Sequence, residues 1–224
     1  MKGYFTRGEM ALWSASVGAV LLAFALFDRG NGLTLAASLI GVTSLIFNAK
    51  GNPVGQVLMV VFSLLYGVIS WRVAYYGEMI TYLGMTMPMA VAALVSWLRH
   101  PYQGNRAEVQ VDRLREGEWL MVSLLTAAVT AAFFFILRAF HTANLGLSTL
   151  SVTTSFVAVY LTARRNPWYA VAYAANDCVL ISLWLLAARW DHSCLSVAVC
   201  FCAFLVNDLY GFLCWQKMHR RQSS

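Results

Sequence analysis

The stretch Tyr169–Ala188, YAVAYAANDCVLISLWLLAA, carries one charged residue, Asp177, among residues that are almost all apolar. A helix of about 20 apolar residues is long enough to cross the hydrocarbon core of a bilayer. The stretch therefore predicts a transmembrane helix, and this prediction decides the class of the fold. The pair Asn176-Asp177 stands near the middle of that helix, where an apolar residue is expected.

The rest of the chain has the same character. Of its 224 residues, 60% are hydrophobic and 12% are charged, and the mean hydropathy is +0.64, whereas soluble domains are about 25% charged. Continuous apolar runs must form helices, because a backbone in lipid has to satisfy its own hydrogen bonds. The sequence predicts an all-α integral membrane protein with eight transmembrane helices, at about 10–27, 32–48, 54–75, 78–98, 118–137, 144–162, 168–187 and 194–215.

The basic residues predict the orientation of these helices. With eight crossings both termini lie on one side, which collects twelve of the sixteen Lys and Arg residues and leaves four for the other side. Cytoplasmic loops carry the excess of positive charge in membrane proteins, so both termini are expected in the cytoplasm. Topology thus explains the net charge without a nucleic-acid partner. The first run could also be a signal peptide, but the seven runs that follow favour an uncleaved helix.

An internal repeat is predicted from landmarks that occur twice. Asparagine followed by proline, a good helix start, occurs at Asn52 and again 114 residues later at Asn166. Each pair opens two apolar runs that end at a tryptophan, Trp97 or Trp215, followed by a basic tail. The topology then predicts two three-helix units of the same orientation with one crossing between them, a 3+1+3 parallel repeat of the kind found in transporters.

The repeat divides the chain into four predicted parts. These are an N-terminal helix in 1–31, a first three-helix repeat in 32–98, a cytoplasmic linker and connecting helix in 99–143, and a second three-helix repeat with the C-terminal tail in 144–224. Transporters built from repeats hold their substrate at the interface of the repeats, near the middle of the membrane.

Asp177 and Asp208 are the two acidic residues that the predicted helices place deep in the membrane, each directly after an asparagine, Asn176 or Asn207. Counted at about 1.5 Å per residue from the cytoplasmic helix ends, both pairs lie at the same depth. A carboxylate in hydrocarbon costs about 2.5–3.5 kcal/mol and usually faces a cavity or pathway. Interhelical hydrogen bonding is the alternative role, but two pairs at equal depth favour a solute site.

Aromatic residues flank each polar pair at helical spacing. This arrangement suits a flat, partly polar ligand and, with the carboxylates, a cationic ring. The predicted substrate-binding residues are Asn176, Asp177, Asn207, Asp208, Tyr173, Gln56, Trp184, Thr154 and Phe204. Arg72 and Glu78 are expected at the outer membrane edge, as interfacial anchors that could pair with each other.

The sequence argues against an enzyme and against a cofactor. All four histidines fall in loops or tails, so the predicted helices hold no histidine-based catalytic constellation. The five cysteines show neither C-x-x-C spacing nor a neighbouring histidine cluster, so no metal site is expected. No G-x-x-x-x-G-K-[ST] sequence is present to bind the phosphates of ATP. The expected partners are a small-molecule solute and the lipid bilayer.

Four stretches of the sequence resemble one family of membrane carriers. They are NPVGQVLMVVFSLLYGVISW (52–71), YYGEMITYLGMTMPMAVAALVSWLRHPY (75–102), YAVAYAANDCVLISLW (169–184) and FLVNDLYGFLCW (204–215). In their order and topology they resemble the nicotinamide riboside transporter (PnuC) family over about residues 32–218. The resemblance implies a SWEET-like fold, a homotrimer and a place in the bacterial cytoplasmic (inner) membrane.

The resemblance also implies an activity. Members of the family import nicotinamide riboside by facilitated diffusion, and a cytoplasmic kinase traps the product by phosphorylation, a step of vitamin uptake for NAD biosynthesis. Members that bind nicotinamide riboside resemble one another in a tryptophan pair ahead of the aspartate of the seventh helix. This chain has Tyr169, Ala170 and Tyr173 there. Related solutes therefore stay open, namely a deoxynucleoside, thiamine or riboflavin, as does a proton-coupled carrier that uses both aspartates.

Overall fold

The structure, a computed structural model, describes residues 4–72 and 75–223. Within these residues the chain forms eight helices: α1 (Arg7–Phe27), α2 (Gly32–Ala49), α3 (Val54–Arg72), α4 (Tyr76–Arg99), α5 (Glu116–Ala139), α6 (Leu145–Ala163), α7 (Tyr169–Ala187) and α8 (Cys194–Ser223). All eight are long and apolar enough to cross a membrane, which confirms the predicted number. Most ends lie within about three residues of the predicted ones. The predicted end of the third run includes residues 73 and 74, which lie outside the described residues.

The linker between α4 and α5 is ordered and explains why α8 extends past its predicted end. A short antiparallel hairpin forms from β1 (Pro101–Tyr102) and β2 (Asn105–Val109). The Gln222 side chain, in the last turn of α8, accepts a hydrogen bond from the Val111 amide at 2.7 Å and donates to the Val109 carbonyl at 3.1 Å. The predicted polar tail therefore continues as helix because it packs against the linker.

Both ends of the described chain lie at one end of the bundle, which we call the terminal face. Lys50, between α2 and α3, pairs with Glu9 of α1 at 3.1 Å. The Asn52 side-chain amide donates to the Tyr4 hydroxyl at 2.7 Å. We call the opposite end of the bundle the far face. Lys2, which the orientation prediction counts, lies outside the described residues.

Six helices form the core and two lie at its edge. Helix α7 packs between α6 and α8, α2 packs against α3, and α8 also contacts α1 and α2. Helix α5 is largely exposed, with Val122 and Leu137 as its buried residues. The core therefore consists of α2–α4 and α6–α8, the two predicted three-helix units, and these units together enclose the candidate site.

The ends of α2 and α6 repeat the same backbone geometry. The residue before each asparagine–proline pair is left-handed, with φ of 64° at Gly51 and 57° at Arg165, and a left-handed residue after the last turn is a common helix stop. Each asparagine side chain then accepts a hydrogen bond from the backbone amide two residues on, at 2.9 Å for Asn52 and 3.0 Å for Asn166. Helices α3 and α7 thus begin in the same way.

The two tryptophans that mark the predicted repeat also occupy corresponding positions. The indole of Trp97 donates to the Thr162 carbonyl at 2.9 Å, and that of Trp215 donates to the Asn48 carbonyl at 2.7 Å. Both acceptors lie four residues before an asparagine–proline pair, so each unit binds the matching carbonyl of the other. These recurrences support an internal repeat, and the assignment to the SWEET-like 3+1+3 fold stays a prediction.

Helix α4 departs from regular α geometry in its N-terminal half. A π turn spans Tyr82–Thr86, and the amide of Met87 bonds the carbonyl of Tyr82, five residues earlier. The next residue, Pro88, has no amide hydrogen, so it cannot make the usual bond to the carbonyl four residues before it. Single π turns are frequent at functional sites, and this one lies at the cavity described below.

Candidate solute-binding site

A small cavity lies between the two three-helix units, with a volume of about 20 Å³, enough for about one water molecule. Every lining residue except Tyr173 is buried, so the cavity is closed towards both faces. The lining residues are Leu45 of α2, Met59 and Phe62 of α3, Tyr82 and Thr86 of α4, Ser155 of α6, Tyr173, Asn176 and Asp177 of α7, and Phe201, Phe204 and Asp208 of α8.

Two carboxyl groups meet at this cavity. Asp177 and Asp208 are 2% and 4% exposed, and their side chains are in hydrogen-bond contact. A hydrogen bond between two carboxyl groups needs one proton between them, because two carboxylates offer only acceptors. Asp177 Oδ2 is buried without a hydrogen-bond partner. The pair therefore holds at least one proton and offers acceptor oxygens, without a basic partner, to whatever occupies the cavity.

Asn176 is held by hydroxyl groups of α6. Thr154 Oγ1 and Ser155 Oγ lie 2.9 and 3.0 Å from Asn176 Oδ1, and Ser151 Oγ lies 3.5 Å from the same atom. A carboxamide oxygen accepts hydrogen bonds and its nitrogen donates two. The hydroxyl groups thus fix the oxygen on the α6 side and leave the Nδ2 group as a donor for a ligand.

The cavity wall contains no basic side chain. None of its lining residues is Lys, Arg or His, and no described residue forms an ion pair with Asp177 or Asp208. Charge in a site of low dielectric constant acts more strongly than in water. The wall therefore favours a cation and disfavours an anion such as a phosphate group.

Aromatic side chains close the cavity towards the far face. We call Tyr66, Tyr75, Tyr82 and Trp184 the far aromatic layer. The rings of Tyr66 and Tyr82 have centroids 4.2 Å apart, and the Trp184 indole donates to the Tyr66 hydroxyl at 2.6 Å. Tyr82 is the member of this layer that reaches the cavity wall, so a solute from the far face would have to displace it.

A second aromatic cluster closes the cavity towards the terminal face. We call Trp97, Tyr169 and Trp215 the terminal aromatic layer. The ring centroids of Tyr169 and Trp215 are 4.9 Å apart, and those of Trp97 and Trp215 are 5.4 Å apart. All three side chains are buried. The cavity thus lies between two closed aromatic layers, one on each side.

Five of the residues predicted from the sequence line the cavity, namely Tyr173, Asn176, Asp177, Phe204 and Asp208. Thr154, also predicted, stands behind the wall and contacts Asn176. Asp177 and Asp208, one member of each polar pair, meet at this cavity. The role of these residues in substrate binding stays a prediction.

Asn207 does not join them. Its Nδ2 group donates to Ser16 of α1 at 2.9 Å and to the Ala203 carbonyl at 2.8 Å. The reason is helix geometry, because consecutive residues are about 100° apart around a helix. Asp208 faces the cavity, so its neighbour faces α1. On α7 both members of the pair reach the cavity, since Asn176 faces α6 and Asp177 faces α8.

Gln56 and Trp184 also lie away from the cavity wall. Gln56 donates to the Asn48 side chain at 2.9 Å and is buried towards the terminal face. Trp184 belongs to the far aromatic layer. Trp184 was predicted from helical spacing and Gln56 as a polar residue of the first repeat, and each side chain bonds a residue of a neighbouring helix, Tyr66 for Trp184 and Asn48 for Gln56.

The prediction for Glu78 is wrong. Instead of an interfacial anchor, Glu78 is 1% exposed, and Ser151 Oγ of α6 donates to its Oε2 atom over 3.5 Å. Arg72 is exposed, and it forms no ion pair with Glu78 among the described residues. The start of α4 is covered because Gly77 packs against the end of α5, where an added Cβ would lie 2.9 Å from Leu137.

Phe201 and Ser155 also line the cavity, although the sequence did not predict them as site residues. Phe201 had a signal, because it precedes Phe204 and Asp208 at spacings of three and seven residues on one helix face. Ser155 follows Thr154 directly. Neither residue type distinguishes a site from ordinary membrane-helix packing, so only the helix arrangement identifies them.

Comparisons with known proteins find one family over most of the chain. The family described as "Nicotinamide mononucleotide transporter" matches residues 31–217. A "Nicotinamide riboside transporter PnuC" of Neisseria mucosa is 24% identical over 99% of this chain and 85% of its own length. A protein of the same description from Haemophilus influenzae is 21% identical over 84% of this chain and 81% of its own.

A solved structure has the same fold. The crystal structure of "the Vitamin B3 transporter PnuC" superposes with a TM-score of 0.86, covers 98% of this chain and 95% of its own, and is 24% identical in sequence. The family and both relatives are described as transporters, not enzymes. The family description names the phosphorylated mononucleotide, whereas the descriptions of the two relatives name the unphosphorylated riboside. The chemistry of the cavity wall bears on this difference.

Proposed function

Because this chain belongs to the nicotinamide mononucleotide transporter family, which matches it over residues 31–217, we propose that it carries nicotinamide riboside across a bacterial cytoplasmic membrane. Both termini face the cytoplasm in this proposal, so the terminal face is the cytoplasmic one. Transport is by facilitated diffusion, and phosphorylation inside the cell traps the product.

One observation carries the choice of the riboside over the mononucleotide. The cavity wall holds Asp177 and Asp208 and no basic side chain. Nicotinamide riboside is a cation through its pyridinium ring and has no phosphate. The mononucleotide adds a phosphate with a charge near −1.5 to −2 at neutral pH, which two carboxyl groups would repel. The pair of aspartates therefore favours the unphosphorylated cation.

The same wall can orient the solute. Tyr173 and Phe204 provide aromatic surface for a flat cationic ring, which gains both stacking and cation–π attraction. The Nδ2 group of Asn176 can donate to the carboxamide oxygen or to a ribose hydroxyl. Asp177 Oδ2, which has no partner, can accept from a hydroxyl group.

The size of the cavity supports alternating access. A nucleoside is far larger than the space of about 20 Å³ that the closed wall leaves. The two three-helix units must therefore separate on one side to admit the solute, a rocking motion typical of repeat-built transporters. We propose that the far aromatic layer opens for uptake and the terminal aromatic layer opens for release.

A proton-coupled carrier is the second candidate, and the contact between Asp177 and Asp208 favours it. A pair that holds one proton could release it when a cation binds. Uptake into proteoliposomes with an imposed pH gradient separates the two. Uptake that does not respond to the gradient supports facilitated diffusion, and accumulation driven by the gradient supports coupling.

We also propose that the chain assembles as a homotrimer. Helices α5 and α6 leave an open groove on the bundle surface that is mostly apolar, with Phe134, Phe135 and Val157 along it. Threonines of both helices lie in the same groove, and Thr130 Oγ1 is 2.9 Å from Thr153 Oγ1. Light scattering of the detergent-solubilised protein measures the mass, and a monomeric mass would contradict the proposal.

Calorimetry on the purified full-length protein tests the proposed solute. We expect saturable binding of nicotinamide riboside and at least about tenfold weaker binding of the mononucleotide, a difference of about 1.4 kcal/mol. Thiamine, riboflavin and a deoxynucleoside complete the series. The variant Asp177→Asn should bind the riboside more weakly, while Asp191→Asn, in an exposed loop, is the matched control. Equal or tighter binding of the mononucleotide would contradict the proposal.

A further inference from the structure

Glu78 is a buried acidic group that the central cavity does not use. It lies in the first turn of α4 near the far face and is 1% exposed. Its Oε1 atom has no hydrogen-bond partner, and its Oε2 atom has one long contact, 3.5 Å from Ser151 Oγ. Among the described residues no Lys, Arg or His pairs with it. A buried carboxyl group with so few partners has capacity for a ligand.

The surroundings of Glu78 are aromatic. Tyr75 stands three residues before Glu78, and the Tyr82 amide, one turn after it, bonds the Glu78 carbonyl. The Tyr66 ring centroid lies 4.2 Å from that of Tyr82. Aromatic faces attract cations, and a carboxylate adds a direct charge interaction. A carboxyl group beside several tyrosine rings has the chemistry of a site for an organic cation.

This place is connected to the central cavity by shared neighbours. Ser151 Oγ lies 3.5 Å from Glu78 Oε2 and also 3.5 Å from Asn176 Oδ1. Tyr82 lines the cavity together with Asp177, and its amide bonds the Glu78 carbonyl one helical turn earlier. Ser151 and Tyr82 therefore lie between Glu78 and the central cavity that holds Asp177. Because Tyr82 belongs to the π turn of α4, the barrier lies on an irregular part of a helix.

We propose that Glu78, with Tyr66, Tyr75 and Tyr82, forms an outer site that receives the cationic ring of the solute on the far side before the ring passes Tyr82 into the central cavity. This inference rests on the proposed function, because it takes the solute to be a cation. It adds a second acidic site to the path and makes Glu78 a determinant of preference for positive charge.

The test compares two forms of one solute that differ in charge. Nicotinamide riboside is a cation, whereas its reduced dihydro form has nearly the same shape and is neutral. The measurement is kcat/KM for uptake of each form into proteoliposomes that contain the full-length protein. The variant Glu78→Gln keeps the size of the side chain and removes its charge. Glu78→Asp keeps the charge, and Ser151→Ala removes the long contact while Glu78 stays charged.

We expect Glu78→Gln to lower kcat/KM for the cation about tenfold and to change the value for the neutral form less than about twofold, the range expected for loss of one charged contact. Glu78→Asp and Ser151→Ala should keep the preference for the cation. An unchanged preference in Glu78→Gln, or equal losses for both forms, would overturn the outer site. Each variant is first checked for a single symmetric peak in size-exclusion chromatography.

The outcomes separate this inference from the proposed function. If the wild-type protein takes up the riboside and Glu78→Gln keeps the preference for the cation, the outer site alone fails. If the wild-type protein takes up neither form, the proposed function fails and the outer site fails with it. If Glu78→Gln does not fold, Tyr75→Leu decides, because loss of an aromatic face of the outer site should lower kcat/KM for the cation more than for the neutral form, and equal losses for both forms would overturn the outer site.

Discussion

Trp215 donates its indole N–H to the backbone carbonyl of Asn48 over 2.7 Å, and this bond joins α8 to the end of α2. The Asn48 carbonyl also accepts a hydrogen bond from the Gly51 amide at 2.9 Å, so the indole occupies the remaining acceptor capacity of that oxygen. The Tyr169 hydroxyl donates to the same carbonyl at 3.4 Å. The terminal aromatic layer is thus held shut by hydrogen bonds as well as by packing.

The first prediction concerns this bond. Trp215→Phe keeps an aromatic ring and removes the donor, which should cost about 1 kcal/mol, or a fall of about 2–4 °C in the midpoint of thermal unfolding. Trp97→Phe, which removes the corresponding bond to Thr162, should behave alike. Trp190→Phe is the control, because Trp190 is 93% exposed. Equal midpoints for all three variants would show that the bonds contribute nothing.

The second prediction separates the two asparagines. Asn176→Leu removes a side chain of the cavity wall and should weaken riboside binding at least about tenfold. Asn207→Leu removes the bond to Ser16 of α1 and should lower the thermal midpoint while affinity changes less than about twofold. Calorimetry and thermal unfolding of both variants give the comparison. A loss of affinity in Asn207→Leu as large as that in Asn176→Leu would contradict this placement.

The third prediction uses the close packing of Gly41. A Cβ atom at Gly41 would lie 2.3 Å from the Phe204 ring and 3.0 Å from the Phe62 ring, and both rings line the cavity. Gly41→Ala should push these rings and weaken riboside binding several-fold, because overpacking shifts side chains. Gly18→Ala is the matched control, since nothing lies within 4 Å of its Cβ position. Unchanged affinity in Gly41→Ala would show that the rings can yield freely.

The fourth prediction concerns the π turn of α4. Pro88→Ala restores an amide hydrogen and favours a regular α-helix past Tyr82–Thr86. If the irregular turn lets Tyr82 move, the maximal uptake rate in proteoliposomes should fall several-fold while KM stays within about twofold. Pro101→Ala, in the linker strand β1, is the control. An unchanged rate in Pro88→Ala would exclude the turn as a moving part.

Much of the fold could be predicted because the bilayer imposes simple rules. The length of each apolar run located the helices, and the asparagine–proline pairs located two helix starts that the structure builds alike. The hairpin of the linker was not predictable in this way, because its short strands follow no apolar pattern. The extension of α8 depends on the contact between Gln222 and the linker, which only the three-dimensional arrangement provides.

The sequence predicted how deep the site residues lie in the membrane, but not which of them face the cavity. Counting residues from the helix ends placed Asp177 and Asp208 at one level, where the structure brings them into contact. Which side of each helix faces the cavity depends on the neighbouring helices, and the sequence does not give this. Asn207 was therefore expected to line the cavity together with Asp208, whereas its side chain contacts Ser16 of α1. The burial of Glu78 was not predicted for a related reason, since burial at a helix end depends on which neighbour covers it, here the end of α5 that packs over Gly77.

The closed cavity has a consequence for the cell that contains this protein. Among the described residues the two aromatic layers bury the cavity from both faces in this conformation, and protons cross membranes readily along continuous files of water. We therefore expect that many copies could sit in an energised membrane without draining its ion gradients. Scavenging of a scarce nutrient would then be compatible with a membrane that stays electrically tight.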